Sequence, residues 1–117
     1  MPTYDRSTVL AAFAELQALD ADWAIRSFYV NNTIDAGGYL RDVIMEVDVP
    51  GHSSRWTAKF FLLDVLLLQV EEFTLIRRME LERRADEEGA LFQARFIGDA
   101  AIVVQARDCR LEVGKDG

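Results

Sequence analysis

The single histidine is the first residue to weigh for proton-transfer chemistry. His52 is followed by Ser53 and Ser54 in a short segment that begins at Pro50. A histidine can act as general base to a serine hydroxyl, but neighbours in a turn rarely hold that geometry. The sequence places no acid to orient the ring. We therefore expect an exposed turn here and predict no catalytic residues.

Cys109 is the single cysteine, and it shares an alternating apolar segment with Leu111 and Val113. A lone cysteine forms neither an intramolecular disulfide nor a cysteine-based zinc cluster. A nucleophilic cysteine needs a lowered pKa, and nothing nearby in the sequence visibly provides one. The spacing predicts a small core residue.

Three carboxylates, Asp42, Glu46 and Asp48, fall on one face of a predicted strand. Side chains two residues apart on such a face are about 7 Å apart, too far to ligate one ion without further ligands. We predict no metal site and no cofactor. An acidic face of this kind instead makes these residues candidates for binding a basic protein partner.

Asp64 interrupts the most apolar segment of the chain, and two interpretations remain open for it. Its carboxylate caps the backbone of a corner, or it is a buried acid with a shifted pKa. Together with Trp23, Tyr29 and Trp56, it could line a ligand pocket. The alternative for these aromatic residues is a place in the hydrophobic core.

The elements that must position these residues begin with one helix. The spacing of Val9, Leu10, Phe13 and Leu16 predicts a helix over about residues 6–19, with Asp5 or Ser7 as N-cap. Residues 22–113 are rich in strand-forming patterns. Strands are predicted over Trp23–Ile34 and Tyr39–Val49; in the second, Val43, Met45 and Val47 point inward.

The segment Trp56–Phe73 admits two structures. As strands, it divides at a tight corner near Leu63–Asp64; as a helix, it could run over about residues 62–88. The apolar arc of that helix would be too broad for a surface helix. Two strands are therefore preferred.

These elements predict an α+β fold in a single domain over residues 1–117. One N-terminal helix would pack on a strongly curved, mostly antiparallel meander sheet, or a flattened sandwich, of about seven or eight strands. No Gly-rich phosphate loop interrupts the predicted strands. Strands and helices do not alternate along the sequence, so a parallel sheet is not predicted.

Composition and charge limit the partners. The chain of 117 residues has a formal charge of −7. This charge argues against nucleic acid and against anionic membranes, since both are bound through basic surfaces. No secretory signal pattern opens the sequence, and we expect a cytoplasmic protein.

The order of segments resembles a family of small bacterial β domains grouped with the immunity proteins of polymorphic toxin systems. The resemblance is carried by Val47–Val49, Trp56–Phe61, Asp64–Val65, Leu67–Phe73 and the closing segment Phe96–Val113. It is a pattern of hydrophobic residues over about residues 23–113, and it assigns no functional residue. It implies a β-rich fold and binding of a toxin-like protein.

Three hypotheses follow. The first is a non-enzymatic, acidic protein-binding or immunity-type protein that docks a basic partner through Asp42, Glu46 and Asp48. The alternative is a small-molecule binding protein or enzyme with an aromatic-lined pocket between helix and sheet. A homodimer is also possible, formed through an exposed strand edge or through Ile44 and Leu67.

Overall fold

A computed structural model describes residues 3–18, 22–35, 37–50, 56–71, 75–86, 89–98 and 101–115. One short helix precedes six of the seven strands. The elements are β1 (Thr3–Tyr4), α1 (Val9–Gln17), β2 (Trp23–Asp35), β3 (Gly38–Asp48), β4 (Trp56–Val70), β5 (Leu75–Asp86), β6 (Gly89–Gly98) and β7 (Ala101–Lys115).

Six of the seven strands form two three-stranded meanders, β2–β3–β4 and β5–β6–β7, and β1 pairs with the end of β7. All pairings are antiparallel, and the two meanders are joined where β4 pairs with β7 along most of its length. A second junction pairs Trp23 with Ile76 and Ala24 with Leu75, so the strand pairings form a closed circuit. The antiparallel sheet with one short helix is therefore confirmed. One uninterrupted meander is not found, because β7 returns to a strand far earlier in the chain.

The helix is shorter than predicted and begins after Thr8, its N-cap. Neither Asp5 nor Ser7 is the cap. The Asp5 carboxylate instead accepts bonds from the Ser7 amide (2.9 Å) and the Ser7 hydroxyl (2.6 Å), which orders the turn before the helix. These bonds hold the pKa of Asp5 below its ordinary value. The expected helix end near Leu19–Asp20 lies outside the described residues.

The core is centred on three phenylalanines from the helix and both meanders. The Phe13 ring lies 5.4 Å from that of Phe60 and 6.1 Å from that of Phe96, and the latter two lie 5.3 Å apart. Each tilted pair contributes about 0.5–1.5 kcal/mol beyond the burial of its area. The predicted inward residues Val43, Met45 and Val47 are fully buried. The helix thus fastens the two meanders to each other.

The segment predicted to turn at Leu63–Asp64 is one continuous strand, so the two-strand interpretation is wrong at this point. The helix over 62–88 is also wrong. Asp64 takes a left-handed backbone conformation (φ 56°), which Asp tolerates better than most residues. The register with β7 shifts by one residue between Val65 and Leu67. The chain absorbs the interruption as a β-bulge and stays paired instead of turning back.

Two places in the sheet differ from the rest: the end of the β2–β3 hairpin, with which no described third strand pairs, and the close backbone contact at Gly98 in β6. β3 pairs with β4 only from Val43 onward, so residues 31–35 and 37–42, here called the hairpin end, form a ribbon of two strands. At the other junction, a Cβ atom added to Gly98 would lie 1.9 Å from the backbone oxygen of Leu75. That position accommodates only glycine without a backbone shift.

Candidate functional site

The outer face of β2, β3 and β4 carries a row of large apolar side chains. The strand register places Tyr29 beside Ile44 and Ile44 beside Phe61, on the side opposite the buried Val43 and Met45. We call Tyr29, Ile44 and Phe61 the apolar row. Tyr29 is 61% exposed, whereas Ile44 and Phe61 are half-buried. Strand alternation sends Ile44 and Phe61 away from the core, and the register shift in β2 brings Tyr29 to the same face beside them.

Charged residues form the next row along the same face. Glu46 lies opposite Lys59, whose amino group stands 5.4 Å from the centre of the Phe61 ring. At this distance the cation and the aromatic face attract each other. The apolar row is therefore bordered by charge on this side.

The acids Glu46 and Asp48 both pair with Arg26. The Arg26 guanidinium lies 3.7 Å from the Glu46 carboxylate and 3.4 Å from that of Asp48. A register shift between Ile25 and Ser27 inserts Arg26 as an extra residue and brings it to these acids. Partly exposed pairs of this kind contribute at most about 1 kcal/mol each. Their main effect is to offset part of the predicted acidic charge.

Asp42 has a different role from the other two acids. Its carboxylate accepts a hydrogen bond from the backbone amide of Asp64 at 3.1 Å. The bond joins the last residue of the hairpin end to β4, just before its bulge. The donor of this bond is the backbone amide of Asp64. The corner that the Asp64 carboxylate was predicted to cap is not formed, because β4 continues through this residue. Asp42 positions backbone as well as bordering the outer face.

The four predicted pocket residues do not line one space. Trp23 is buried in the core, and Trp56 is partly buried against that core. Tyr29 lies on the opposite face of the sheet. Asp64 lies in β4, just before its bulge. Between helix and sheet, where the pocket was expected, the rings of Phe13, Phe60 and Phe96 are in contact.

The thiol of Cys109 is fully buried, as the alternation predicts. Burial, and then the nearby Asp108 carboxylate, raise its pKa to about 12. The thiol therefore stays protonated and is a poor nucleophile at neutral pH. His52, Ser53 and Ser54 lie outside the described residues.

In the described part of the chain, no group of three or more His, Cys, Asp or Glu residues is placed to hold a metal ion. Among the same residues, no helix has the length and apolar character needed to cross a membrane.

Sequence reasoning missed Phe61 and Arg26. The signal for Phe61 was present, since alternation that sends Trp56, Ala58 and Phe60 inward sends Phe61 outward. Arg26 had no such signal. Its place beside Glu46 and Asp48 depends on the bulge in β2. Because Phe28, Tyr29 and Val30 are all apolar, the sequence pattern does not show where the alternation shifts.

Comparison with known proteins found no match: no family model, no curated protein and no solved structure matches this chain. The resemblance to immunity proteins therefore stays a prediction.

Proposed function

We propose that this protein is a non-enzymatic binding module that docks a protein partner on the outer face of β2, β3 and β4. The observation that carries the proposal is the apolar row of Tyr29, Ile44 and Phe61, bordered by Asp42, Glu46 and Asp48. Protein interfaces have this composition, with aromatic residues at the centre and a charged rim. A circuit of strand pairings also favours a strongly curved sheet, which would make this face convex.

The partner we propose is a protein with a basic rim around an apolar centre. The chain carries a net charge of −7, which attracts a basic surface at long range. Close to the apolar row, Arg26 and Lys59 offset part of the acidic charge. The acids thus act mainly on the rate of association, and the apolar row supplies most of the affinity. An immunity-type role, in which the partner is a toxin domain, is the form that the resemblance suggests.

A photo-crosslinking amino acid in place of Tyr29 tests the proposal in the native host. Tyr29 is 61% exposed, so the replacement leaves the core intact. We expect a specific crosslinked protein of basic character. The matched control carries the same amino acid in place of Glu82, an exposed residue of β5. Crosslinks that are absent at Tyr29, or the same at both positions, contradict the proposal.

Binding measurements with the captured protein then separate the two contributions. Tyr29→Ala should weaken the complex by roughly 10- to 100-fold, as expected for a central aromatic residue. The double variant Glu46→Gln/Asp48→Asn should mainly slow association and reduce its dependence on salt. Asp42 is left unchanged, because its bond to the Asp64 amide would confound the result. An unaltered affinity for Tyr29→Ala contradicts the role of the apolar row.

A further inference from the structure

The outer edge of β2 is an uncovered strand edge. β3 occupies one side of β2, and on the other side β5 pairs only with Trp23 and Ala24. No described strand pairs with the outer edge of Tyr29–Ile34, and all six of these residues are exposed. Their sequence, Tyr-Val-Asn-Asn-Thr-Ile, contains no charge and no proline. Soluble proteins usually protect exposed strand edges with charged residues or proline, so this edge lacks the usual protection against pairing.

The other strand edges in this region are less suited to pairing. β4 after Leu62 also has one side without a described strand, but Asp64 is left-handed and the register shifts between Val65 and Leu67. A bulge twists an edge away from a potential partner strand. The edge of β3 in the hairpin end carries Arg41 and Asp42. β2, in contrast, pairs with β3 without a register shift from Ser27 to Asp35.

We propose that a second copy of this chain pairs with this edge, so that the β2 strands of two copies run antiparallel across a two-fold axis. The axis stands perpendicular to the sheet, because only then do paired residues face the same side. The pairing is therefore centred on Asn31 or on Asn32. Within Tyr29–Ile34, neither arrangement places one charge opposite another, so the edge is compatible with itself.

The pairing supplies what the hairpin end lacks. A two-stranded hairpin is marginally stable in water, and a third strand stabilises it. In the dimer, each hairpin end gains the partner's β2 as that strand. Across the axis the two outer faces point the same way, so the apolar rows of both copies lie on one side of a continuous sheet. Dimerisation itself does not depend on the proposed partner binding.

The net charge of −7 on each copy opposes association, and salt screens this repulsion. We therefore expect the fraction of dimer to rise with salt concentration. Sedimentation velocity of the full chain, over a range of protein and salt concentrations, measures this directly. A particle with the mass of one chain at every concentration overturns the proposal.

A charge-exchange experiment tests the contact itself. Asn31 and Thr33 are exposed and project to the outer side of β2, away from the side-chain contacts of Asn32 with Tyr39 and Arg41. The variants Asn31→Lys/Thr33→Lys and Asn31→Asp/Thr33→Asp place like charges opposite each other in either register. Each alone should weaken dimerisation roughly tenfold. An equimolar mixture of the two should form a heterodimer at least as stable as the wild-type dimer.

The control is Leu67→Lys/Gln69→Lys, which places the same charges at the same spacing on β4. Both residues are exposed and lie outside the proposed contact. We expect its dimerisation to match the wild type apart from the small effect of net charge. Loss of the dimer in this variant, with none in the Asn31/Thr33 variants, would assign the interface to β4 and overturn the proposal.

Hydrogen exchange of the wild-type chain gives a second measurement that needs no variant. Amide protection over residues 29–34 should increase with protein concentration, while protection in β6 stays constant. Exchange at residues 29–34 that stays constant across the concentration range in which sedimentation shows monomers becoming dimers overturns the edge pairing. This readout uses no added partner, so its failure is distinct from failure of the proposed docking on the outer face.

Discussion

The hairpins β2–β3 and β5–β6 start their second strands in the same way, with Gly38 and Gly89 at φ angles of 122° and 121°. Both hairpins are rich in large apolar residues. In β5–β6, Phe92 and Phe96 are buried, because β7 pairs with β6 as a third strand. In the hairpin end of β2–β3, Ile34 and Tyr39 are exposed at 81% and 53%.

The difference shows that apolar content does not decide burial in this protein. A hairpin with a third strand and a helix over it becomes core, whereas the same kind of hairpin without them stays at the surface. The apolar residues of the hairpin end thus remain available for intermolecular contacts. This contrast can be measured by removing one side chain from each hairpin.

The largest effect is expected from Phe96→Ala. The Phe96 ring contacts Phe13 and Phe60, so its removal leaves a cavity where helix and both meanders meet. We expect a loss of about 3–5 kcal/mol in the free energy of unfolding, measured by urea denaturation. The matched change in the other hairpin, Ile34→Ala, should stay within about 0.5 kcal/mol at monomeric concentrations. Similar losses for both variants would refute the contrast.

A smaller effect is expected at Asp42, the residue of β3 just before its pairing with β4 begins. Asp42→Ala removes the acceptor of the Asp64 amide and should lower the free energy of unfolding by roughly 1–2 kcal/mol. Asp42→Asn keeps an acceptor oxygen and should recover most of the loss. In the other hairpin, Glu82→Ala removes an exposed ion pair with Arg84 and should cost at most about 0.5 kcal/mol. Equal costs for Asp42→Ala and Asp42→Asn would contradict this role.

The last effect on stability concerns the thiol of Cys109, and it appears only at alkaline pH. Its folded pKa of about 12 lies above the ordinary 9.0, so the unfolded thiol ionises first as pH rises. Its contribution to stability is therefore complete below pH 9.0 and is lost as pH rises towards 12. Comparing wild type with Cys109→Ala over this range isolates the thiol from other titrating groups.

Thiol labelling compares the buried thiol of Cys109 with a cysteine introduced in the exposed hairpin end. At neutral pH Cys109 should react slowly with a disulfide reagent, whereas a cysteine introduced in the hairpin end (Thr33→Cys with Cys109→Ala) should react at the rate of an exposed thiol. Fast labelling of Cys109 in the folded protein would contradict its burial.

Much of the local structure could be predicted from the sequence, because alternation is a local signal. The inward face of β3 and the place of Cys109 followed from residues two positions apart. The bulge that follows Asp64, between Val65 and Leu67, could not be predicted in this way. An interrupted apolar run indicates that a strand is disturbed, but the pairing with distant β7 decides whether the chain turns or continues.

The candidate site shows the same limit. Alternation placed Asp42, Glu46 and Asp48 on the outer face, yet it could not show that two of them pair with Arg26 and that Asp42 binds the Asp64 amide. It also could not separate Tyr29 from Trp23. Both are aromatic residues of one predicted strand, but the register places one outside and the other in the core.

Gly98 has a consequence for how this chain can change over generations. Any side chain at this position would overlap the Leu75 carbonyl, so related chains that keep the fold should keep glycine there. Exposed side chains of the hairpin end, such as Ile34 and Tyr39, have no such close contact with the backbone of another strand and can change without disturbing the core. Related chains should therefore keep glycine at this position and differ more often at the exposed side chains of the hairpin end.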